Sequence, residues 1–164
     1  MQIVYNSSSS NNTKKIGLLL AKILQSGDII LFSGELGAGK TVLISGIAGG
    51  LGLKENLTSP SFIILNIYSL RNKKKLIHAD FYRLDNIPEI INTGIEDYIY
   101  NKDCYIFIEW GNRIKDYLKE KYLEISIDYI LTGKDDRRLQ FESRSRYWDK
   151  KLKSFEGLLK KCIF

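Results

Sequence analysis

Cysteine and histidine are scarce in this chain. Its two cysteines, Cys104 and Cys162, stand far apart without metal-ligand spacing, and Cys104 lies in an apolar run. Neither a disulfide framework nor a cysteine-based metal site is supported, which suits a reducing cytoplasm. Long apolar stretches are missing as well. The most apolar segment, Gly17-Leu18-Leu19-Leu20-Ala21-Lys22-Ile23-Leu24, is broken by lysine and is far too short to span a bilayer. Met1 to Asn6 lacks the charged start and apolar core of a signal peptide. A soluble, cytoplasmic protein without a membrane partner is expected. Internal repeats and linkers are absent, so the 164 residues are expected to form one domain, 1–164. The guanine signature Asn-Lys-x-Asp is lacking too. Asn101-Lys102-Asp103 places its acid one position early, which leaves adenine as the default base.

What is present centres on one stretch, Gly34-Glu35-Leu36-Gly37-Ala38-Gly39-Lys40-Thr41, which fits G-x-x-x-x-G-K-[ST] at every fixed position. An apolar run of strand type, Asp28 to Ser33, precedes it, and Thr41 to Leu51 reads as a helix closed by Gly52. That order matters physically. Glycines let consecutive N–H groups turn around a phosphate, and a helix N-terminus adds partial positive charge. In such a loop Lys40 would reach the β- and γ-phosphates and the Thr41 hydroxyl would bind Mg²⁺. The net charge of +6 and pI near 9.2 invite a nucleic-acid partner, but the lysines are scattered as on a solvated surface.

The remaining patterning predicts alternating strands and helices. Ile3 to Tyr5 is a candidate edge strand, and a helix capped at Asn12 or Thr13 buries Ile16, Leu19, Leu20, Ile23 and Leu24. Phe62 to Leu70 and Leu76 to Asp80 read as a hairpin, Pro88-Glu89 as the start of a short helix, and Asn112 to Leu118 as another. Tyr105 to Glu109 is apolar enough for a central strand buried on both faces. Leu123 to Tyr129 and Arg138 to Ser143 suggest an antiparallel pair at a sheet edge, and Trp148, Leu152, Phe155 and Leu159 mark a basic C-terminal helix within 145–164. The expected architecture is α/β: a three-layer sandwich around a mixed, mostly parallel sheet, as in P-loop NTPases.

A nucleotide hydrolase also needs acids at strand ends beside the loop. Glu109 ends the most apolar strand, the setting of a Walker B acid, and Asp80 ends Leu76-Ile77-His78-Ala79-Asp80. His78, the one histidine, reads better as a hydrogen-bonded strand residue than as a catalytic base. Arg83 could touch a phosphate, a partner or a surface acid. Thr58 and Ser61 lie where switch loops place a hydroxyl over a γ-phosphate, although on the residues alone a capping or turn hydroxyl is the better reading. Alternation along the strand turns Trp110 away from Glu109. The residues alone also admit a small-molecule or nucleoside kinase, with Asp136-Arg137-Arg138 as a lid, or an RNA-binding module that uses ATP as a conformational ligand.

Taken together, the segments resemble one family, the bacterial TsaE (YjeE) ATPases, which take part in the threonylcarbamoyl modification of the adenosine beside the tRNA anticodon. The likeness rests on Gly34 to Thr41, Thr58-Ser59-Pro60-Ser61-Phe62, His78-Ala79-Asp80-Phe81-Tyr82-Arg83-Leu84, Gly94-Ile95-Glu96-Asp97-Tyr98 and Ile108-Glu109-Trp110. It runs from about Thr13 to near Gly133. It implies that Lys40 and Thr41 bind phosphates and Mg²⁺, that Glu109 is a Mg²⁺ ligand, and that Asp80 is a required acid of a switch-like segment. It further implies that Ser61, where the family usually has Thr, belongs to the first switch. By the same likeness Trp110 lies beside the nucleotide and Thr13 near its base. ATP and Mg²⁺ are the implied cofactors. The implied partners are TsaB and TsaD, a heterodimer that ATP hydrolysis resets, with any tRNA contact indirect.

Overall fold

The computed structural model describes residues 1–55, 57, 64–119, 122–130 and 135–162. Strands β1 (Gln2–Ser7), β2 (Ile29–Ser33), β3 (Leu65–Ser69), β4 (Lys75–Asp80), β5 (Cys104–Glu109), β6 (Tyr122–Tyr129) and β7 (Arg137–Glu142) share one sheet. Their spatial order is β1-β7-β6-β2-β5-β4-β3. Neighbours within β6-β2-β5-β4 are parallel, whereas β1 with β7, β7 with β6 and β3 with β4 are antiparallel. β1 thus points with the central four, and only β3 and β7 oppose them. The expected α/β sandwich around a mixed sheet is therefore what the chain forms, parallel through its centre and antiparallel toward both edges.

Side-chain alternation divides the sheet between two cores. Ile30 and Phe32 of β2, with Tyr105 and Phe107 of β5, join α1 (Ser10–Ala21), α2 (Lys40–Gly50) and the C-terminal helix Arg146–Lys161 on one face. Ile29 and Leu31, with Ile106 and Ile108, join α3 (Ile87–Ile91), α4 (Glu96–Ile99) and the 3₁₀ turns Gly111–Arg113 and Lys115–Leu118 on the other. All six residues of β5 are buried, as a strand covered on both faces requires. The C-terminal helix, α5, docks through Trp148, Leu152, Phe155 and Leu159. It also answers the buried Asp28, which accepts from the Tyr147 hydroxyl at 2.6 Å and from Lys151 Nζ at 2.5 Å.

Three local expectations differ from the structure. The β6–β7 pair is not the sheet edge, because β1 pairs along β7 with Ile3 opposite Phe141 and takes the outer place. Helix α1 starts earlier than Asn12, since Ser9 caps it by accepting the Asn12 N–H on its hydroxyl. The segment 112–118 forms two 3₁₀ turns rather than one helix, interrupted at Ile114. The residues before Leu65 that extend the expected β3 lie partly outside the described residues. No helix among the described residues is long and apolar enough to cross a membrane.

The contact that places α2 is a close helix crossing. A Cβ on Gly46 of α2 would stand 2.2 Å from the Lys14 carbonyl of α1, and one on Gly17 of α1 would stand 2.5 Å from the Leu43 carbonyl of α2. Both distances are impossible for real side chains, so the two backbones touch only because neither residue has one. Gly46→Ala is expected to destabilise the protein by about 1–3 kcal/mol through overpacking, despite alanine's better helix propensity. Gly157→Ala in α5, where a Cβ meets nothing within 4 Å, should instead stabilise by about 0.5–1 kcal/mol. Urea unfolding of the two variants checks the opposite signs.

Candidate functional site

The parallel centre brings the carboxyl ends of β2, β4 and β5 to one edge of the sheet, and the 34–41 loop leaves β2 there. Gly34, at φ +131°, passes so close to β6 that a Cβ would lie 2.1 Å from the Ile127 carbonyl. Gly37 and Gly39 also take positive φ, and Gly39 starts α2 without a capping side chain. Among the described residues no side chain caps the first-turn N–H groups of α2, which suits them to an anion, with the helix dipole in favour.

Facing this loop is a cavity of about 580 Å³. Its wall includes Leu36, Gly37, Gly39, Lys40, Thr41 and Val42 on one side and Asp80, Tyr82, Arg83, Glu109 and Trp110 on the other. Lys40 is 5% exposed, and its ammonium donates to the carbonyls of Gly34 at 2.8 Å and Glu35 at 2.9 Å. Burial pushes its pKa below the ordinary lysine range, and the nearby carboxylates of Glu109 and Asp80 partly offset that. The ammonium also lies 5.1 Å from the Trp110 ring centre. A lysine whose donors are occupied by two loop carbonyls can exchange them for phosphate oxygens without ever being left bare.

Glu109 closes the arrangement. It is 4% exposed, and its Oε1 accepts from the Thr41 hydroxyl at 3.3 Å and from His78 Nε2 at 2.9 Å. An ionised carboxylate only accepts, so His78 carries its hydrogen on Nε2 in this pairing. His78 is fully buried, and its Nδ1 has no partner among the described residues. Asp80 sits opposite Glu109 in the β4–β5 register, and its Oδ1 accepts the Tyr82 N–H at 3.0 Å. Thr41, Glu109 and Asp80 supply hard oxygen donors of the kind Mg²⁺ takes. No group of three or more His, Cys, Asp or Glu side chains forms a ready metal cage among the described residues. Such a site suits a cation that keeps waters and binds with substrate phosphates.

The structure thus brings Leu36, Gly37, Gly39, Lys40, Thr41, Asp80, Glu109 and Trp110 around one cavity, with Gly34, Glu35 and Ala38 completing the loop. Trp110 departs from the alternation argument. It adopts a left-handed conformation, φ 58°, which ends the strand and turns the indole to the same cavity as Glu109, 5.0 Å from the Tyr82 ring. Thr13 is not on the cavity wall. It is buried in α1, with its hydroxyl bonded to Ser7 Oγ and the Ser9 carbonyl. Ser61 and Thr58 lie outside the described residues. Arg137, read above as part of a lid, is instead buried behind the loop with Nε donating to the Ala38 carbonyl. Neither that contact nor the one of Tyr129 beside it leaves a mark in the sequence, because no motif links residues 92 and 99 positions apart. The Glu109–His78 bond was visible only as two residues in separate strands.

Residues 7–139 match the family model "Threonylcarbamoyl adenosine biosynthesis protein TsaE". The chain belongs to the TsaE family. It is 33% identical over 127 residues to the tRNA threonylcarbamoyladenosine biosynthesis protein TsaE of Treponema pallidum, covering 77% of this chain and 92% of that one. It is 38% identical over 117 residues to the TsaE of Streptomyces coelicolor, covering 70% and 78%. The crystal structure of Bacillus subtilis YdiB superposes with a TM-score of 0.79 at 25% identity, covering 96% of this chain and 95% of that one. TsaE proteins take part in tRNA threonylcarbamoyladenosine biosynthesis. The TsaE match ends at Leu139, so the basic C-terminal helix α5 lies outside the matched residues.

His78→Ala should destabilise the protein by about 2–4 kcal/mol in thermal or urea unfolding, because it opens a cavity and removes a donor from a buried carboxylate. His78→Gln, which retains a donor, should recover part of the loss.

Proposed function

We propose that the chain is a Mg²⁺-dependent ATPase that hydrolyses the β–γ bond of ATP and thereby resets a TsaB–TsaD complex during tRNA threonylcarbamoyladenosine formation. The observation that carries this reading is the convergence of Lys40 and Thr41 with Asp80 and Glu109 on one cavity. On this reading the chain is one P-loop ATPase domain acting in the cytoplasm, and it meets tRNA through its partners.

The residues divide the work by their chemistry. The amides of the 34–41 loop and the N-terminus of α2 bind the phosphates, and Lys40 moves from the Gly34 and Glu35 carbonyls onto the β- and γ-oxygens. Thr41 and Glu109 would hold Mg²⁺, which neutralises charge on the β- and γ-phosphates when bound. His78 keeps the Glu109 carboxylate turned toward Thr41. Asp80 lies at the end of β4, beside Glu109, where it can orient a water for attack. The tilted pair of Tyr82 and Trp110 forms an aromatic wall suited to covering the nucleotide. Ser61 is assigned to the switch that senses the γ-phosphate, and Thr13 to the neighbourhood of the base, both by family likeness alone.

Phosphate release from ATP and Mg²⁺, measured with and without the TsaB–TsaD pair, tests the proposal. Release that the pair increases is expected, and none under either condition refutes it. Lys40→Ala should weaken nucleotide binding about 10- to 100-fold, the scale of losing charge-assisted hydrogen bonds. Unchanged affinity in equilibrium titration would remove Lys40 from the phosphate site. Glu109→Ala should cut hydrolysis by about two orders of magnitude while leaving metal-free nucleotide binding nearly intact. Equal losses in both would argue against a metal role.

A further inference from the structure

The 34–41 loop is held from two sides, and only the inner side belongs to its sequence motif. On the outer side, Tyr129 at the end of β6 donates its hydroxyl to the Gly37 carbonyl at 2.5 Å. Arg137 at the start of β7 donates Nε–H to the Ala38 carbonyl at 3.0 Å. Arg137 is 6% exposed, its Nη1 is tied to the Asp135 carbonyl at 2.6 Å, and its guanidinium lies 5.4 Å from the Tyr129 ring centre. Its ion pair with Asp135 is long, at 3.9 Å, and among the described residues the carbonyls of Ala38 and Asp135 make its short contacts. Gly39 packs against the same guanidinium: a Cβ there would stand 3.0 Å from Nε. Neither Tyr129 nor Arg137 lines the cavity.

Peptide geometry turns these contacts into a role. In a trans peptide the carbonyl of one residue and the N–H of the next point in opposite directions. Fixing the Gly37 and Ala38 carbonyls outward therefore fixes the Ala38 and Gly39 amides inward. The Ala38 amide already points across the loop, donating to the Glu35 carbonyl at 3.2 Å. A donor on each outer carbonyl also polarises the peptide and strengthens its inner N–H.

We propose that Tyr129 and Arg137 are positioning residues of the nucleotide site, which set the peptide planes of the loop as an anion-binding nest before the polyphosphate arrives. The proposal rests on reading the loop as a phosphate site. Because the same loop shape serves ground state and transition state, the effect falls on binding rather than on turnover at saturation.

Three variants of the full chain, Tyr129→Phe, Arg137→Gln and Arg137→Lys, test it with ADP as the probe. Tyr129→Phe removes one neutral hydroxyl from a half-exposed ring and should leave folding intact. Each variant should weaken ADP binding about three- to tenfold, the scale of one hydrogen bond, with kcat nearly unchanged and KM raised. The Tyr129→Phe, Arg137→Gln double variant should lose less than the product of the two. Arg137→Lys keeps the charge but not the fork, so it should behave like Arg137→Gln. In the nucleotide-free protein, amide exchange at Ala38 and Gly39 should quicken in all three, with the melting point of Tyr129→Phe held. Unchanged ADP affinity and unchanged exchange would overturn the proposal. Full recovery in Arg137→Lys together with wild-type binding in Tyr129→Phe would also overturn it, in favour of simple charge attraction. If the wild-type protein binds no ADP, the reading of the loop as a nucleotide site fails, and amide exchange alone decides the positioning role.

Discussion

A carboxylate buried at the end of a central strand must be met by donors, and Glu109 imposes that requirement on everything around it. Leaving such a group without partners costs several kcal/mol, so the strands and loop that supply its donors are fixed relative to one another. His78 answers from β4 and Thr41 from the first turn of α2, while Lys40 adds its field across the cavity. One side chain thereby locks β4, β5 and α2 into a single arrangement. With Asp80 beside Glu109 in register, two acids face one buried cation. A polyphosphate brought into that cavity adds further negative charge, which is the electrostatic reason a divalent cation belongs to the proposed chemistry.

The fold supplies the remaining constraint by topology. Parallel neighbours end at the same sheet edge, so the acids of β4 and β5 and the loop after β2 are brought together without any long connection reaching across the molecule. The glycine contact between α1 and α2 then sets how deeply α2 seats, and hence where its N-terminus points. On the far side of the loop, β6 and β7 act as a rigid backing, pressed against Gly34 through Ile127 and against Gly37 and Ala38 through Tyr129 and Arg137. The site is thus enclosed between two hard surfaces: the acid-bearing strands in front and the β6–β7 pair behind.

How much of this was legible in the sequence follows from the range of the interactions. The glycine loop, the buried run ending at Glu109 and the strand ending at Asp80 announce themselves because each is a local pattern with one physical meaning. The edge character of Ile3 to Tyr5 was legible but its partner was not, since pairing Ile3 with Phe141 joins segments at opposite ends of the chain. The start of α1 was missed because Ser9, Asn12 and Thr13 are all competent caps, and only the folded backbone chooses among them. The left-handed turn at Trp110 was also hidden, since alternation assumes a strand that continues. The contacts of Tyr129 and Arg137 left no trace in spacing because they are made to backbone carbonyls, which carry no residue identity.

A crystal structure with a non-hydrolysable ATP analogue and Mn²⁺ in place of Mg²⁺ is the most direct test. The proposed ATPase predicts Lys40 Nζ released from the Gly34 and Glu35 carbonyls onto the phosphates. It also predicts an anomalous metal peak about 2.1 Å from Thr41 Oγ1, on the side facing Glu109. A nucleotide bound elsewhere, or a filled cavity in which Lys40 keeps both loop carbonyls and the metal avoids Thr41, would contradict it.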